Sequence, residues 1–247
     1  MGNPSRVHAP LLGIEPFGAG VYRLRFYAER RFTRFLPGQF LHLALDNFDP
    51  QEGYWPESRV FSICSSPRKD EISIVYSVKG KFTARMEREL TVGSSYWVKL
   101  PYGDFIIDSL VSPEDTVVLV AGGTGISPYI PFLENEIVAG SSRHIRLVYG
   151  LRSAPLCIFD EVIERACLQL PNFQLAIFTQ DGTHLALTGP KVSYAKGILN
   201  VSALKPAGDF AGVVYFLSGP PIMIDTLKSD LLTLGVSREK IAIDEWE

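Results

Sequence analysis

The pattern of apolar and polar positions changes its period near residue 110. Before that point, short runs rich in Val, Ile, Tyr and Phe are separated by turn formers such as Pro37-Gly38 and Asp46-Asn47. The run VYRLRF at 21–26 alternates with a period of two, which is typical of a half-buried strand. These features predict a small antiparallel barrel or sandwich, interrupted by one helix at 81–90 that Thr83 or a neighbouring residue caps.

After residue 112, strand-like runs such as VVLVAG alternate with helix-like runs such as PYIPFLENEIVA. This alternation is typical of right-handed βαβ units on a parallel sheet. The predicted fold class is therefore a two-domain β plus α/β protein. An antiparallel Greek-key β-barrel is expected over residues 1–110, and a parallel-sheet, Rossmann-like α/β domain over residues 111–247.

Composition narrows the classes of partner. The chain has 247 residues, 46% of them apolar and 21% charged, with a net charge of −3, which disfavours nucleic acid or an anionic membrane as a partner. No apolar run approaches the roughly 20 residues of a membrane-spanning helix, and the N-terminus lacks a secretion signal, so we expect a cytoplasmic location. The three cysteines lack iron-sulfur spacing, and no metal site is predicted.

A glycine turn in the second half suggests a ligand site. The apolar run at 117–121 stops at Gly122-Gly123-Thr124-Gly125, and Ser127-Pro128 then opens a predicted helix. Bare backbone N–H groups and a helix dipole at such a turn suit a phosphate, ideally a pyrophosphate. The match to the dinucleotide fingerprint is incomplete because no third glycine follows. A tight turn without a ligand is the alternative.

Three further strand ends carry glycine or small polar residues, at the edge of a parallel sheet where ligands bind. They are Tyr149-Gly150-Leu151-Arg152, Thr179-Gln180-Asp181-Gly182, and Leu217-Ser218-Gly219-Pro220-Pro221 with Met223 in the helix that follows.

With these motifs the chain resembles the ferredoxin-NADP⁺ reductase superfamily of flavin-dependent oxidoreductases over nearly its whole length. Arg59-Val60-Phe61-Ser62 is similar to the family's flavin motif, and Gly80-Lys81-Phe82-Thr83 to its glycine before a capped helix. GGTGISP at 122–128 resembles the pyrophosphate turn. SGPPIM at 218–223 resembles a motif whose first residue is usually cysteine, and Ser218 stands in its place.

The resemblance implies roles for individual residues of the first half. Arg59 and the helix starting near Thr83 would bind the flavin phosphate. Phe61 would pack against the flavin ring system, and Ser62 would hydrogen-bond the flavin nitrogen that receives hydride. The other residues assigned to the flavin site are Val60, Val78, Gly80, Lys81 and Phe82. FAD is expected, and FMN is the open alternative.

In the second half the resemblance places Ser218 beside the nicotinamide. Asp244 or Glu245 would polarise a proton path, and Trp246 would stack on the flavin until nicotinamide displaces it. The other residues assigned to the nicotinamide dinucleotide are Gly122, Gly123, Thr124, Gly125, Gly150, Arg152, Thr179, Asp181, Gly219, Pro220 and Met223. NADH is favoured over NADPH because the Asp181 carboxylate would repel a 2′-phosphate, although Arg152, Lys191 or Lys196 could reach one.

The implied activity is hydride transfer from NADH or NADPH to FAD, followed by electron transfer to a separate protein acceptor, such as ferredoxin or an oxygenase component. The chain lacks the cysteine cluster that some similar electron-transfer subunits carry. The alternative is a nucleotide-sensing or scaffold subunit that keeps the fold without turnover, which the serine at position 218 makes conceivable.

Overall fold

The computed structural model describes residues 4–30, 33–204 and 211–244. The chain divides into two compact units, Met1–Ile106 and Ile107–Glu247. The sequence-based division after residue 110 lies slightly further along the chain and stays a prediction. Among the described residues, no helix has the length and apolar character needed to cross a membrane.

The N-terminal unit is an antiparallel sheet in the order β4-β3-β6-β1-β2-β5. An antiparallel bridge between Ile63 and Ile74 joins the chain just after β4 to β5, so the two edges of the sheet meet and the barrel nearly closes. Alternate residues such as Leu24 and Phe26 point inward and are fully buried, as the period-two pattern predicts. The strands are β1 (Ser5–Gly18), β2 (Val21–Tyr27), β3 (Phe40–Ala44), β4 (Ser58–Ser62), β5 (Glu71–Ser77) and β6 (Ser95–Tyr102).

Helix α1 (Lys81–Glu89) lies between β5 and β6 in the chain. Its buried residues Phe82 and Met86 are four positions apart, so they share one face and pack into the barrel core. Gly80 is the N-cap residue, and Thr83 Oγ1 accepts the backbone N–H of Gly80 at 3.1 Å. Thr83 therefore caps the helix from inside its first turn, as a capping box does.

The C-terminal unit is a parallel sheet in the order β10-β9-β8-β7-β11-β12 with helices between strands. Together with the barrel, this confirms the predicted fold class. The chain order reverses between β7 and β11, and ligands bind at such reversals beyond the carboxyl ends of the strands. The elements are α2 (Ile107–Leu110), β7 (Thr116–Gly122), α3 (Ile130–Ala139), β8 (Ile145–Leu151), α4 (Asp160–Gln169), β9 (Phe173–Thr179), β10 (Val192–Lys196), β11 (Val213–Ser218), α5 (Pro221–Thr233) and β12 (Ile241–Ile243).

Strand β10 was not predicted from the sequence. It pairs in parallel with β9, from Val192 opposite Leu175 to Lys196 opposite Thr179. Its alternating pattern is only five residues long, and Ser193 and Lys196 are exposed, as expected of a short strand at the edge of a sheet. A strand this short has too few apolar positions to be distinguished from a loop by its sequence pattern.

Candidate functional site

The predicted helix start at Ser127-Pro128 is wrong. Residues Gly123–Tyr129 form a 3-10 helix, and α3 begins at Ile130. The physical reason is that proline has no N–H, so Pro128 cannot donate to the carbonyl four residues earlier in an α-helix. That carbonyl, of Thr124, accepts the Ser127 hydroxyl at 2.8 Å instead.

Most glycines of the turn after β7 touch the turn after β11. A Cβ at Gly125 would lie 2.6 Å from the backbone nitrogen of Gly219, and a Cβ at Gly122 would lie 2.7 Å from Pro220 Cδ. Gly219, with φ of +149°, would place a Cβ 2.9 Å from the backbone nitrogen of Gly122. These three glycines therefore allow two backbone turns to pack directly on each other.

Gly123 differs from its neighbours. It has φ of +55°, and among the described residues no atom lies within 4 Å of the position that its Cβ would take. Sequence reasoning assigned all the glycines to ligand approach, whereas only Gly123 borders open space. Gly150 pairs with Gly122 across β7 and β8, and a Cβ there would make an ordinary contact with Leu199.

The hydroxyl of Tyr149 holds the glycine turn and was missed by sequence reasoning. It donates to the carbonyl oxygen of Gly123 at 3.0 Å. Burial raises the pKa of Tyr149 well above its ordinary value, so the hydroxyl stays protonated and remains a donor. The signal in the sequence was a tyrosine just before Gly150, but nothing there tells where its ring points.

Two predicted catalytic residues, Ser218 and Asp244, lie together. Ser218 Oγ donates to Asp244 Oδ2 at 2.9 Å, and both residues are buried. The backbone N–H of Asp244 also donates to the carbonyl of Leu217 at 2.9 Å, which holds the acid beside the end of β11. The predicted Glu245 and Trp246 lie outside the described residues, so their roles stay predictions.

The third predicted strand end is built around Thr183, a residue to which sequence reasoning gave no role. The hydroxyl of Thr179 and the carboxylate of Asp181 both hydrogen-bond Thr183. These bonds from Thr183 lower the pKa of Asp181 below its ordinary value. Arg152 is exposed, and its carbonyl accepts the backbone N–H of Asp181, so the two residues are neighbours at this edge of the sheet.

The predicted flavin-phosphate residues of the N-terminal unit also lie together. The Arg59 guanidinium is centred 5.2 Å from the Phe82 ring, above the first turn of α1, and Glu57 pairs with it at 3.0 Å. Among the described residues, no atom lies within 4 Å of a Cβ built on Gly80. The N–H groups of the first turn of a helix have no partner within the helix. The Arg59 guanidinium and these N–H groups of α1 therefore lie beside the open space at Gly80. Lys81 is exposed in the same turn.

Phe61 belongs partly to the barrel core. It is half-buried, packs against the core cluster, and meets Tyr76 edge to face with ring centroids 6.4 Å apart. Tyr76 in turn stacks on Tyr22 at 5.4 Å, so three rings form a row that the sequence motif did not reveal. The other predicted residues of β4, Val60 and Ser62, pair with strand β3 and are half-buried; Val78 follows β5 and packs against the core.

A cavity of about 200 Å³ in the C-terminal unit contains none of the predicted site residues. It lies beside α5 and β12 and is lined by Lys228, Leu232, Arg238, Ile241 and Ile243.

Comparisons with known proteins bear on both units. Residues 119–229 match the family profile described as Oxidoreductase NAD-binding domain. A flavohemoprotein of Rhizobium meliloti is 27% identical over 84% of this chain and 51% of its own length. The reductase component of propane 2-monooxygenase from Mycolicibacterium goodii is 26% identical over 97% of this chain and 67% of its own length. The chain thus spans about half to two thirds of these relatives.

A solved structure matches nearly the whole chain. The FAD/NAD-binding domain of nitric oxide dioxygenase from Vibrio cholerae has a TM-score of 0.75 at 20% identity, and the match covers 98% of this chain and 97% of that domain. At this identity the likeness establishes the fold, and it agrees with the barrel and the parallel sheet described above.

Proposed function

We propose that the chain, which matches an oxidoreductase NAD-binding domain over residues 119–229, is a flavin-dependent reductase that passes electrons from NADH through a bound flavin to a separate protein acceptor. The observation that carries the proposal is the pair of packed turns after β7 and β11, where Ser218 and Asp244 meet at the reversal of strand order. FAD is the expected flavin. A cytoplasmic location belongs to the same proposal.

The N-terminal unit offers a fitting place for the flavin phosphate. Arg59 supplies a charged fork of donors, and the first turn of α1 supplies N–H groups beside the open space at Gly80. The contact with Phe82 keeps the guanidinium over this turn. The half-exposed edge of the row formed by Phe61, Tyr76 and Tyr22 would support an aromatic ring system.

The C-terminal unit would bind the nicotinamide dinucleotide at the carboxyl edge of its sheet. Gly123 leaves its turn open to a pyrophosphate, and Tyr149 fixes the carbonyl of that glycine so that the turn keeps its shape. Because Ser218 donates its proton to Asp244, its oxygen keeps lone pairs that can accept an N–H of the nicotinamide amide. The proposed role of Ser218 is therefore to orient the ring.

When bound, the flavin supplies the redox chemistry, since it accepts hydride and releases electrons singly. The acceptor is proposed to be a ferredoxin or an oxygenase component, because a relative is the reductase component of a monooxygenase. NADH is favoured because the exposed Asp181 carboxylate would repel the 2′-phosphate of a nucleotide bound at the end of β9.

The test is anaerobic reduction of the purified protein. The bound flavin is identified by mass, and its absorbance near 450 nm, the ordinary visible band of oxidised flavins, is followed on addition of NADH or NADPH. We expect FAD, rapid bleaching by NADH and slower bleaching by NADPH. A yellow protein that neither nucleotide bleaches would favour the nucleotide-sensing alternative, and a protein that binds no flavin would contradict both.

The variant Arg59→Gln tests the phosphate site directly. Loss of a charge-assisted bond to phosphate, about 1.5 to 3 kcal/mol, should weaken flavin binding roughly 10- to 100-fold. Arg68→Gln is the matched control, because Arg68 is an exposed arginine of the same unit with no assigned role. Equal retention of flavin by both variants would remove Arg59 from the site.

A further inference from the structure

The loop after β9 is folded around Thr183, whose polar atoms are all engaged. Its Oγ1 accepts the backbone N–H of Ala154 at 2.7 Å and donates to Asp181 Oδ1 at 2.7 Å. Its own N–H donates to the same Oδ1 at 3.0 Å, and its carbonyl accepts the Thr179 hydroxyl at 2.7 Å. One residue thus connects the segment after β8, the end of β9 and the Asp181 carboxylate.

The backbone places this carboxylate at the edge of the sheet. The N–H of Gln180 donates to the carbonyl of Leu151 at 3.1 Å, and the N–H of Asp181 donates to that of Arg152 at 3.2 Å. The pairing between β8 and β9 therefore continues past their last strand residues. As a result, Asp181 has a fixed backbone position next to Arg152, and only its side-chain torsions are left to be set.

Thr183 sets those torsions. Two bonds from Thr183 hold one carboxylate oxygen, Oδ1, while Asp181 is exposed. Both bonds go to Oδ1, so Thr183 leaves the other oxygen, Oδ2, unused. The Lys196 side chain lies nearby, because a Cβ at Gly182 would be 3.0 Å from Lys196 Cδ. The Asp181 carboxylate thus has the Lys196 side chain on one side and the backbone of Arg152 on the other.

We propose that Thr183 is a positioning residue for nucleotide discrimination: it fixes Asp181 so that Oδ2 accepts a ribose hydroxyl and opposes a 2′-phosphate. This inference rests on the proposed function, because it assumes that the adenosine ribose lies at the end of β9. An Asp181 free to rotate would turn away from a phosphate and leave it to Arg152 and Lys196. Discrimination therefore needs Thr183 as well as the carboxylate.

The test uses nucleotide fragments, so that it does not depend on turnover. Calorimetry on the flavin-loaded protein gives dissociation constants for AMP and for adenosine 2′,5′-bisphosphate, and their ratio measures discrimination. In Thr183→Val, which removes the hydroxyl at nearly constant shape, we expect the preference for AMP to fall about tenfold, the effect of one lost charged hydrogen bond. Thr183→Ser keeps the hydroxyl and should restore the ratio.

Thr233→Val is the matched control, because it also removes a threonine hydroxyl that donates a hydrogen bond, here to the backbone carbonyl of Ser229 at 2.9 Å in the last turn of α5. It should leave the ratio unchanged. If Thr183→Val does not fold, Thr183→Ala provides the same comparison with a smaller side chain.

A double-mutant cycle separates positioning from a general loosening of the loop. If Thr183 acts through the carboxylate, Thr183→Val should change the ratio less than twofold when Asp181 is already alanine. An equal change in both backgrounds, or an unchanged ratio in Thr183→Val alone, would overturn the inference. A wild-type protein that binds neither fragment and is not reduced by NADH would instead contradict the proposed function.

Discussion

The turns that follow β7 and β9 lie at the same edge of one parallel sheet, yet different interactions hold them in shape. The turn after β7 is fixed by backbone packing, since Gly125 and Gly122 leave no room for a side chain beside Gly219 and Pro220. The turn after β9 is fixed by side-chain hydrogen bonds, with Thr183 at their centre. Apart from the Tyr149 hydroxyl that binds the Gly123 carbonyl, substitutions should therefore damage the first turn by adding atoms and the second by removing them.

The largest effect is expected from Gly125→Ala. Its Cβ would lie 2.6 Å from Gly219 N, and its nearest neighbours are backbone atoms of Ser218 and Gly219 that cannot rotate away, so overpacking should destabilise the protein by about 3 kcal/mol. Gly123→Ala is the matched control, because its Cβ would point into open space. Only the positive φ of this position disfavours alanine, so the expected loss of stability is about 1 kcal/mol. Urea unfolding measures both. Equal losses would show that packing does not distinguish these glycines.

The next effect concerns the hydrogen bond between the packed turn and Asp244. Ser218→Ala removes a buried donor at 2.9 Å from the carboxyl group, which should lower the free energy of unfolding by about 2 kcal/mol. Ser193→Ala removes a hydroxyl that bonds only a backbone carbonyl, that of Leu175, from an exposed position, and should cost well under half as much. Thermal unfolding of both variants would test this order, and a loss no larger in Ser218→Ala would contradict it.

A smaller effect should follow from Tyr149→Phe. The change deletes the bond to the Gly123 carbonyl and should lower stability by about 1 kcal/mol. Tyr215→Phe removes a similar bond, to the Leu204 carbonyl at 3.1 Å, and serves as the control for stability alone. Only Tyr149→Phe should also weaken NAD⁺ binding, measured by calorimetry. Unchanged binding in that variant would mean that the turn keeps its shape without the hydroxyl.

The smallest effect is a titration. Bonds from Thr183 lower the pKa of Asp181 below 3.8, so the stability that they contribute is complete above that pH and is lost as the pH falls through the lower, folded-state value. In Thr183→Val the pKa of Asp181 should rise towards 3.8. Carboxyl-carbon NMR of labelled protein measures both values, and an unchanged pKa would show that the Thr183 hydroxyl does not hold the carboxylate.

The period of the apolar pattern was enough to predict a barrel followed by a parallel α/β unit, because long buried strands such as β7 and β11 leave a clear signal. It was not enough for β10, whose five residues are half-exposed. The helix start near Ser127 was misplaced because an α-helix through Gly123–Tyr129 would set the Pro128 ring against the carbonyl of Thr124, four residues earlier.

Within the candidate site, motifs pointed to segments that the structure brings together, but not to the contacts between them. The pattern GGTG predicts that another group comes close to the backbone, but it does not identify that group. For Gly125 the group is the backbone of Gly219. Ser218 and Asp244 are 26 positions apart, so only the adjacency of β11 and β12 brings them together. The sequence gives Thr183 no role of its own, and its importance follows from four hydrogen bonds that depend on the folded loop.

The connection between Thr183 and Asp181 also affects how coenzyme preference could be engineered. Exchanging Asp181 for a small or basic residue removes the acceptor that the Thr183 hydroxyl and N–H share. The new side chain would then lie in a loop that has lost two of its hydrogen bonds. If codon 181 alone is randomised in a selection for NADPH use, every clone that replaces Asp181 would carry this weakened loop. Libraries that vary codons 181 and 183 together should reach the switched enzyme in fewer rounds.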